Sequence, residues 1–294
     1  LKASTDDMSK NMTLSEIIES LETGNSYNPN VIRITFKEGE RITDFAKEIS
    51  EKTNNTYEDV IKVMTNKEYC RTLINTYDDF MNLMNDNEYI DSLISKYWFL
   101  SKEIKNEKIY YPLEGYLAPN TYEFANKEIT IEKIIERMLD ETDKNIKNYK
   151  NKLTKSVHYY ITMASLAELE GTALENKKTI ISVFENRLAK NMNLGSDVTT
   201  YYALQLPMDS DLTSDQFGTA NPYNTRSTTM MGKMPVGPIC NPSLESIEAS
   251  FNPTTSTYYY FVADKYGKIY FTSTLKEHEI KVQEIKEYLK VHTN

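Results

Sequence analysis

Two glutamates close a run of small and apolar residues that reads MASLAELEG over residues 163–171. Such a run predicts a packed helix, and the glycine at its end predicts where the helix stops. A carboxylic acid held against packed helix, rather than in open solvent, can keep its proton near neutral pH and give it to a leaving oxygen. Glu168 and Glu170 are therefore candidates for acid catalysis.

Helical geometry separates the two acids, because side chains two residues apart on a helix point about 200° away from each other. Glu170 shares its face with Met163 and Ala167, whereas Glu168 lies on the other side. Only one of the two glutamates can face a given site. The geometry alone does not decide which.

Five further blocks follow this helix along the chain. They read FENRL at 184–188, LGSDVTTYYAL at 194–204, NPYNTR at 221–226, MPVGPICNPSLESIEASFNP at 234–253 and YYYFVADKYGKIYFTSTLKEH at 258–278. Their order and spacing resemble the endolytic murein transglycosylase (YceG-like) family, which cuts the glycan strands of bacterial peptidoglycan. Blocks at 13–24, 31–49 and 113–124 resemble the N-terminal half of that family, so the resemblance covers nearly the whole chain.

The resemblance assigns the catalytic role. In the family's ASxxEKE pattern the catalytic acid is the second glutamate, which falls on Glu170. The resemblance implies that Glu170 first protonates the glycosidic oxygen of the β-1,4 MurNAc-GlcNAc bond and then takes the proton from the sugar's own 6-hydroxyl, leaving a 1,6-anhydro-MurNAc end. Such a lytic transglycosylase needs no second carboxylate, and we expect neither a metal nor a cofactor. Glu168 is then a structural residue or part of the substrate-binding set.

The sequence departs from the family pattern at a few positions near the expected site. Val198 follows Asp197 where the family usually has proline, and Arg226 replaces a common aromatic residue. Leu169 replaces the usual lysine between the two glutamates. These differences bear on the contacts with substrate and leave the acid in place.

Two polar blocks supply further candidates for substrate binding. Asp197 with Thr199 could orient the N-acetyl group of a sugar, or hold its own loop through turns made by the side chains. Tyr223, Asn224 and Thr225 offer an aromatic face, an amide and a hydroxyl, which are contacts that a neutral sugar ring requires. The alternative for this block is a turn after the preceding proline.

The helix after the glutamates contributes Asn186 and Arg187. Arg187 could meet a lactyl or peptide carboxylate of the substrate, or pair inside the protein with an acid such as Glu168, and we favour the internal pair. His278 is predicted to be a hydrogen-bonded structural residue rather than a proton carrier. The three histidines have no metal-ligand spacing, and the sequence has no motif of a metalloprotease, a serine hydrolase or a phosphate-binding loop.

Composition narrows the class of protein. The 294 residues are 39% hydrophobic, which is enough for a substantial core, and nine glycines and nine prolines leave no room for a long flexible linker. The net charge of −9 and the lack of a sustained basic run argue against binding to nucleic acid. Cys70 and Cys240 lie in different halves of the chain, and we expect two isolated thiols rather than a disulfide.

Hydrophobic periodicity predicts an α+β fold in two parts. Residues 1–28 are a stub and a helix, and residues 29–125 are a LysM-like region of strand, helix, helix and return strand, with an inserted helical arm at 66–108. A LysM-like unit is associated with binding of N-acetylated glycans. Periodicity predicts paired helices at about 158–171 and 174–190, a hairpin over 258–273 and a final helix. The family resemblance implies that residues 126–294 are the catalytic transglycosylase domain.

Membrane attachment is expected from the resemblance alone. No apolar run approaches the roughly 20 residues that span a bilayer, and the sequence carries no signal peptide. Family members have a single N-terminal membrane helix with the remainder outside the cytoplasmic membrane, so we expect this chain to be part of a longer, single-pass, extracytoplasmic protein. Its partner is the peptidoglycan glycan strand, and it could also meet peptidoglycan synthases and division or elongation proteins.

Two other functions compete with this hypothesis. An inactive peptidoglycan-binding scaffold would fit the altered residues Val198 and Arg226, although retention of Glu170 argues against it. An ordinary glycoside hydrolase would need a second carboxylate, for which Asp197 is the candidate. The position of Asp197 relative to Glu170 discriminates between hydrolysis and transglycosylation.

Overall fold

Helices dominate the described chain, together with two antiparallel sheets of two strands each. The computed structural model describes residues 13–15, 18, 30–65 and 86–292. The strands are β1 (Ile32–Thr35), β2 (Thr121–Phe124), β3 (Tyr260–Ala263) and β4 (Ile269–Thr272). The helices are α1 (Ile42–Lys52), α2 (Tyr57–Met64), α3 (Asp86–Lys96), α4 (Ile131–Ile146), α5 (Val157–Glu170), α6 (Leu174–Ala189), α7 (Val198–Ala203), α8 (Ser214–Gly218), α9 (Leu244–Phe251) and α10 (Leu275–His292), with short 3₁₀ turns at Lys102–Lys105, Lys147–Lys152 and Thr228–Met230. This mixture confirms the predicted α+β class.

The first sheet forms as the alternating pattern of residues 31–36 predicts. Ile34 and Phe36 are buried, while Arg33 and Thr35 face solvent. β1 pairs antiparallel with β2, so that Ile34 lies opposite Tyr122. The predicted strand, helix, helix and return strand are therefore confirmed, whereas the likeness of this region to a LysM unit stays a prediction. The helix predicted near residues 13–24 lies mostly outside the described residues.

The segment predicted as an inserted helical arm is described from residue 86 onward. α3 and the turn that follows it bury Leu93, Phe99 and Ile104. These side chains belong to the same apolar cluster as the residues of β1 and α1. This part of the insertion therefore packs into the core, because contact with that cluster buries its apolar side chains away from water.

The centre of the second half is α5, whose residues are buried on nearly every side. A helix that is apolar all round has no solvent face, so it must be enclosed by other elements. α6 and α9 enclose it, and Ala167 packs with Ile181 and Ala249 where the three helices meet. The Ser156 hydroxyl caps the N-terminus of α5 by accepting a hydrogen bond from the Tyr159 amide. The predicted helix pair is confirmed to within a residue at each end.

Polar contacts connect the N-terminal region to the C-terminal half. The Asn241 amide donates its backbone hydrogen bond to the Glu40 carbonyl, and its Oδ1 accepts one from the Gly115 amide, both at 2.9 Å. The fully buried Glu114 carboxyl accepts from the Ile42 amide at 3.0 Å, and burial raises its pKa to about 8. One continuous apolar cluster also includes residues of both regions. The domain boundary at 125 and 126 stays a prediction.

The C-terminal elements form a hairpin covered by a helix, as the sequence predicts. β3 pairs with β4, and Gly267 in the turn has a φ of +78°, a conformation that glycine adopts without strain. α10 packs against both strands. Cys240 is fully buried, with its Sγ donating to the Ser165 carbonyl, while Cys70 lies outside the described residues. None of the described helices combines the length and the apolar character needed to cross a lipid bilayer.

Candidate active site

Glu170 is the last residue of α5 and lies on the wall of a pocket of about 570 Å³. The Ser196 hydroxyl donates a hydrogen bond of 2.6 Å to Glu170 Oε1. Burial raises the pKa of the Glu170 carboxyl above its ordinary value; the bond from Ser196 opposes this, and the nearby charge of Asp197 adds to it. A carboxyl that resists ionisation and opens into a pocket is suited to donate a proton to a bound molecule.

Segments far apart in the sequence build this pocket, which we call the acid pocket. They are the ends of α5 and α6, the loop that precedes α7, β3 and the start of α10. Its wall consists of Glu170, Arg187, Asn193, Leu194, Gly195, Asp197, Arg226, Tyr260, Phe261, Val262, Ala263, Leu275 and His278. At Gly195, φ is +65°, and a Cβ would lie 3.1 Å from Arg187 Nη1, so a glycine there lets the loop pass close to the arginine.

Glu168 lies in quite different surroundings, although it is only two residues from Glu170. Its Oε2 accepts hydrogen bonds from Lys177 Nζ at 3.1 Å, from the Ser243 amide at 3.0 Å, and from the hydroxyls of Ser243 and Ser246 at 2.5 Å each. Lys177 and Glu168 form a salt bridge in which the side chains are only 5% and 11% exposed. As the helical geometry predicts, the two glutamates point into separate environments.

The two glutamates consequently have pKa values shifted in opposite directions. Burial would raise the pKa of Glu168, but the hydrogen bonds from Ser243 and Ser246 and the charge of Lys177 outweigh it and lower the pKa below its ordinary value. Glu168 is thus held ionised in a closed cluster. We call Glu168, Lys177, Ser243 and Ser246 the serine–lysine cluster. A carboxylate fixed by this many donors is a structural residue and a poor proton donor.

The internal pair expected between Arg187 and Glu168 is wrong. Lys177 takes that position because it lies one turn into α6, near the end of α5, whereas Arg187 lies near the far end of α6. Arg187 instead donates from Nε to the Tyr259 carbonyl at 2.6 Å and from Nη1 to the Leu194 carbonyl at 2.5 Å. Its guanidinium thereby reaches the acid pocket, where its charge acts on Glu170.

Asn186 lies beside Arg187 in the sequence but is not on the wall of the acid pocket. Its side-chain amide donates to the carbonyls of Ser256 and Tyr258, at 2.9 Å each. These two bonds tie α6 to the chain just before β3. Asn186 therefore fixes the strand that forms one side of the pocket.

Asp197 lies on the pocket wall and forms a salt bridge with Arg226, with 2.5 Å between Oδ1 and Nη1. It occupies the N-cap position of α7, yet its side chain makes no capping hydrogen bond. The predicted alternative of backbone capping is therefore wrong for Asp197, because the carboxylate turns toward the arginine. Arg226 also lies over the Phe217 ring, at 4.8 Å from its centroid.

The other polar candidates are enclosed in the loops behind the pocket. Thr199, Tyr223, Asn224 and Thr225 are fully buried, and none lines the acid pocket. The Thr199 and Thr225 hydroxyls lie 2.9 Å apart, and the Thr225 hydroxyl accepts from the Ser196 amide at 3.0 Å. Their side chains have no exposed surface for the sugar contact that the sequence suggests, since their polar groups are used to hold the loop that carries Ser196.

Two of these buried residues hold the loop in other ways. The Asn224 side chain accepts from the Thr200 hydroxyl at 2.8 Å and donates to the Thr219 carbonyl at 2.8 Å. The Tyr223 ring packs against Tyr110 and Tyr202, with centroids 4.8 Å away in each case. The aromatic face of Tyr223 is therefore occupied by other tyrosines.

Two polar atoms on the pocket wall have no hydrogen-bond partner among the described residues. Asn193 Oδ1 and His278 Nδ1 are both buried and unpaired, although the Asn193 amide nitrogen donates to the Ser227 carbonyl at 3.0 Å. The expectation of a hydrogen-bonded His278 is thus wrong at Nδ1. The imidazole packs on the Tyr260 ring instead, and burial lowers its pKa. Unpaired polar atoms in a pocket are groups that a ligand can satisfy.

Reasoning from the sequence missed three positions at the candidate site, namely Ser196, Asn193 and Lys177. Ser196 stands beside Asp197 in the LGSDVTT block, so its place in that block was the available signal. No sequence pattern placed Asn193 or Lys177 at the site, because their positions depend on elements that meet only in the folded chain. Within the described ranges, no three His, Cys, Asp or Glu side chains are grouped so as to hold a metal ion.

Comparison with known protein families and sequences gives a consistent result. A model of the YceG-like family matches residues 1–284. The chain is 34% identical over 274 residues to the endolytic murein transglycosylase of Bacillus subtilis (strain 168), an alignment that covers 92% of this chain and 69% of that protein. It is 38% identical over 192 residues to the endolytic murein transglycosylase of Streptococcus pneumoniae serotype 2 (strain D39 / NCTC 7466), which covers 63% of this chain and 34% of the relative.

A solved structure supports the same relationship. The chain resembles the crystal structure of a yceG-like protein from Listeria monocytogenes with a TM-score of 0.72 and 35% sequence identity. The superposition covers 91% of this chain and 81% of the Listeria chain. The similarity therefore includes the overall fold as well as the sequence blocks.

Proposed function

Because the chain belongs to the YceG-like family, we propose that it is an endolytic lytic transglycosylase of peptidoglycan in which Glu170 is the sole acid and base. Relatives named endolytic murein transglycosylases share its sequence over most of its length. The observation that carries the proposal is the contrast at the end of α5: the Glu170 carboxyl has a raised pKa and faces the acid pocket, while Glu168 is ionised and enclosed.

The proposed first step is proton transfer from Glu170 to the glycosidic oxygen between MurNAc and GlcNAc. The raised pKa keeps the proton on the carboxyl at higher pH than an exposed glutamate could. Ser196 donates to Oε1 and so fixes the orientation of the carboxyl, with the second oxygen directed to the leaving group. The bond between C1 of MurNAc and that oxygen breaks, and GlcNAc leaves with a new 4-hydroxyl.

The proposed second step is ring closure. The 6-hydroxyl oxygen of MurNAc attacks C1, and its proton returns to the Glu170 carboxylate, so the enzyme is regenerated and no water is consumed. An ordinary glycoside hydrolase would need a second carboxylate, as the base for water in an inverting enzyme or as the nucleophile in a retaining one. Asp197 is the candidate, but its salt bridge to Arg226 occupies one of its oxygens. This arrangement favours the internal hydroxyl as nucleophile.

The acid pocket also offers groups that can hold an N-acetylated sugar. Asn193 and His278 line the pocket, and a rotation of each side chain toward the ligand would let the buried Asn193 Oδ1 accept from the N–H of an acetamido group and the buried His278 Nδ1 pair with a sugar hydroxyl. Arg187 and Arg226 bring positive charge to the wall, where a lactyl carboxylate of MurNAc can approach. We propose direct substrate contact for these residues and for Asp197.

The remaining predicted site residues act through the loop that they hold. Thr199, Asn224 and Thr225 fix the segment on which Ser196 and Asp197 stand, and Tyr223 packs behind it. Asn186 fixes the start of β3. We propose that they position the groups that touch substrate, as Glu168 does for the end of α5 through the serine–lysine cluster.

The wider setting follows from the family. We propose that an N-terminal membrane helix precedes this chain, that the domain acts outside the cytoplasmic membrane, and that the LysM-like region binds glycan. Association with peptidoglycan synthases and with division or elongation proteins fits this location and is part of the same proposal. The two-part organisation, with the catalytic domain at residues 126–294, is retained as the working division.

Digestion of purified peptidoglycan sacculi tests the proposed function. Mass analysis of the released fragments should show ends that are one water lighter than hydrolytic ends and that resist reduction by borohydride. The same fragments should be absent with the Glu170→Gln variant. Reducible muramic ends as the main product would exclude the transglycosylase proposal and favour hydrolysis with Asp197 as base.

A further inference from the structure

A second groove, of about 330 Å³, lies between the β3–β4 hairpin and α10. Three tyrosines line it: Tyr266 in the turn, Tyr270 on β4 and Tyr288 on α10. The hydroxyl groups of Tyr266 and Tyr288 are hydrogen-bonded to each other. Residues of one hairpin and one helix thus place several aromatic rings around a single concavity, which we call the tyrosine groove.

The tyrosine groove exposes aromatic surface to an unusual degree. Tyr266 is 70% exposed and Tyr288 is 49% exposed. Large exposed aromatic side chains gathered in one place are typical of binding surfaces, since the folded chain gains nothing from leaving them in water. The rings therefore provide flat apolar faces next to hydroxyl groups.

The charges in the tyrosine groove balance. Its two carboxylates, Asp264 and Glu284, match its two ammonium groups, Lys265 and Lys281. Lys281 is paired with Glu284, and Asp264 accepts from backbone amides of the turn and from the Tyr270 hydroxyl. A groove with no net charge does not select an anion or a cation. It suits a neutral molecule with apolar faces and many hydroxyls, which describes a sugar ring.

The wall formed by β3 and α10 continues from the acid pocket to the tyrosine groove, although no residue that the structure describes lines both. Val262 and Ala263 line the acid pocket, and the next residue, Asp264, lines the tyrosine groove. On α10, His278 lines the first and Lys281 the second, which is a rise of about 4.5 Å along the helix. A chain-like ligand that leaves the acid pocket along this wall meets the tyrosine groove.

From these observations we propose that the tyrosine groove is a distal sugar-binding subsite for the glycan strand that is cut at Glu170. The inference rests on the proposed function, since it extends the same substrate beyond the acid pocket. A sugar ring stacks on Tyr266 or Tyr288, and its hydroxyls bond to the charged groups at the rim. A long strand occupies both sites, whereas a short oligosaccharide fills only the acid pocket, so the subsite favours cleavage within long strands.

The test compares glycans of two lengths with a double variant, Tyr266→Ala together with Tyr288→Ala. The substrates are glycan strands freed of stem peptides and the disaccharide MurNAc-β-1,4-GlcNAc, which contains only the bond that is cut. KM for the long strands should rise roughly tenfold, in line with the loss of two aromatic contacts, while the disaccharide kinetics stay unchanged. The matched control is Tyr258→Ala, which removes an exposed tyrosine that does not line the groove.

Direct binding separates this inference from the proposed function. In the Glu170→Gln background, Kd for the long strands should weaken roughly tenfold in the double variant, as measured by calorimetry. Unchanged KM and Kd in a folded double variant would overturn the subsite, as would an effect seen only with isolated stem peptides. Tyrosine-dependent binding without any cleavage by the unaltered protein would instead overturn the proposed function and leave the subsite supported.

Discussion

The acid pocket and the serine–lysine cluster lie on opposite sides of the end of α5. The first raises the pKa of a glutamate carboxyl, and the second lowers it. Within the described ranges, Glu170 receives one side-chain hydrogen bond, from Ser196, and opens into the pocket. Glu168 receives four hydrogen bonds at one oxygen, one of them from a buried lysine. Burial raises the pKa of Glu170, whereas the number and charge of the donors around Glu168 outweigh burial and lower its pKa.

This difference also separates stability from chemistry. The serine–lysine cluster joins α5, α6 and the start of α9, so its loss should lower the free energy of unfolding. The acid pocket lies between loops and strand ends, so substitutions there should change substrate binding and the rate of cleavage. Each of the following predictions tests whether the two regions are in fact independent.

The largest effect is expected from Glu170→Gln. The amide keeps the shape but cannot donate a proton, so cleavage of sacculi should fall by about 10²- to 10⁴-fold. The free energy of unfolding should stay the same or rise slightly, because a buried carboxyl with a raised pKa is costly to ionise. Glu175→Gln, at a 77% exposed side chain on α6, is the matched control. A variant that keeps more than a tenth of the original rate would contradict the assignment.

Glu168→Gln should act mainly on stability. It leaves the buried Lys177 ammonium without its counter-ion, which costs about 3–5 kcal/mol in comparable buried pairs. Urea unfolding at pH 7 measures the loss, and adding Lys177→Met to the same chain should recover much of it. If the double variant were no more stable than the single one, the salt bridge would not be the source of the effect.

The pH dependence of that stability has a definite sign. The pKa of Glu168 is lower in the folded than in the unfolded chain, where a glutamate titrates near about 4.3. Its contribution is therefore present above that pH and is lost as the pH falls through the folded pKa. The Glu168→Gln variant should therefore lose less stability than the unaltered protein over this acidic range, because the other carboxylates still titrate but the contribution of Glu168 is gone.

A smaller effect is expected from Ser196→Ala. The hydroxyl stabilises the ionised form of Glu170, so its removal should raise the pKa of that carboxyl further. Because cleavage requires the protonated acid, the alkaline limb of kcat/KM should move to higher pH, while kcat falls by roughly tenfold from the loss of orientation. Ser196→Thr keeps the hydroxyl and serves as the control. An alkaline limb that stays in place would show that Ser196 does not act on Glu170.

The smallest effect is expected from Asp197→Asn. This substitution should move the alkaline limb of kcat/KM to lower pH, opposite to the shift expected for Ser196→Ala. The negative charge of Asp197 raises the pKa of Glu170, so a neutral side chain should lower it and bring the alkaline limb to lower pH. The control is Asp211→Asn, at an exposed acid outside the pocket. A near-complete loss of activity with Asp197→Asn would point to a base in hydrolysis rather than to a modest electrostatic neighbour.

Much of the secondary structure could be predicted because its signals are local. α5 follows from a run of small and apolar residues closed by Gly171, α6 follows from an apolar period, and the β3–β4 hairpin follows from alternation around a turn. The separation of Glu168 from Glu170 follows from helix geometry alone. These inferences need no knowledge of what packs against the element.

The partners of the site residues could not be predicted in the same way. Lys177 rather than Arg187 pairs with Glu168 because of how α6 lies against α5, and no pattern within α6 encodes that angle. A tyrosine ring such as that of Tyr223 can stack on a sugar, but in this fold the ring packs against Tyr110 from a distant segment of the chain. Side-chain type therefore predicts the chemistry that a residue could do, while tertiary packing decides whether it reaches the pocket.

The most direct test of the account is a titration of the two carboxyl groups by NMR of isotope-labelled glutamates. The Glu168→Gln and Glu170→Gln variants each lack one resonance, which assigns that missing resonance to the substituted glutamate. We expect Glu170 to titrate above the ordinary glutamate value of about 4.3 and Glu168 to titrate below it. Equal pKa values, or Glu168 titrating above Glu170, would contradict the claim that the fold raises the pKa of one glutamate for catalysis and lowers the pKa of the other for structure.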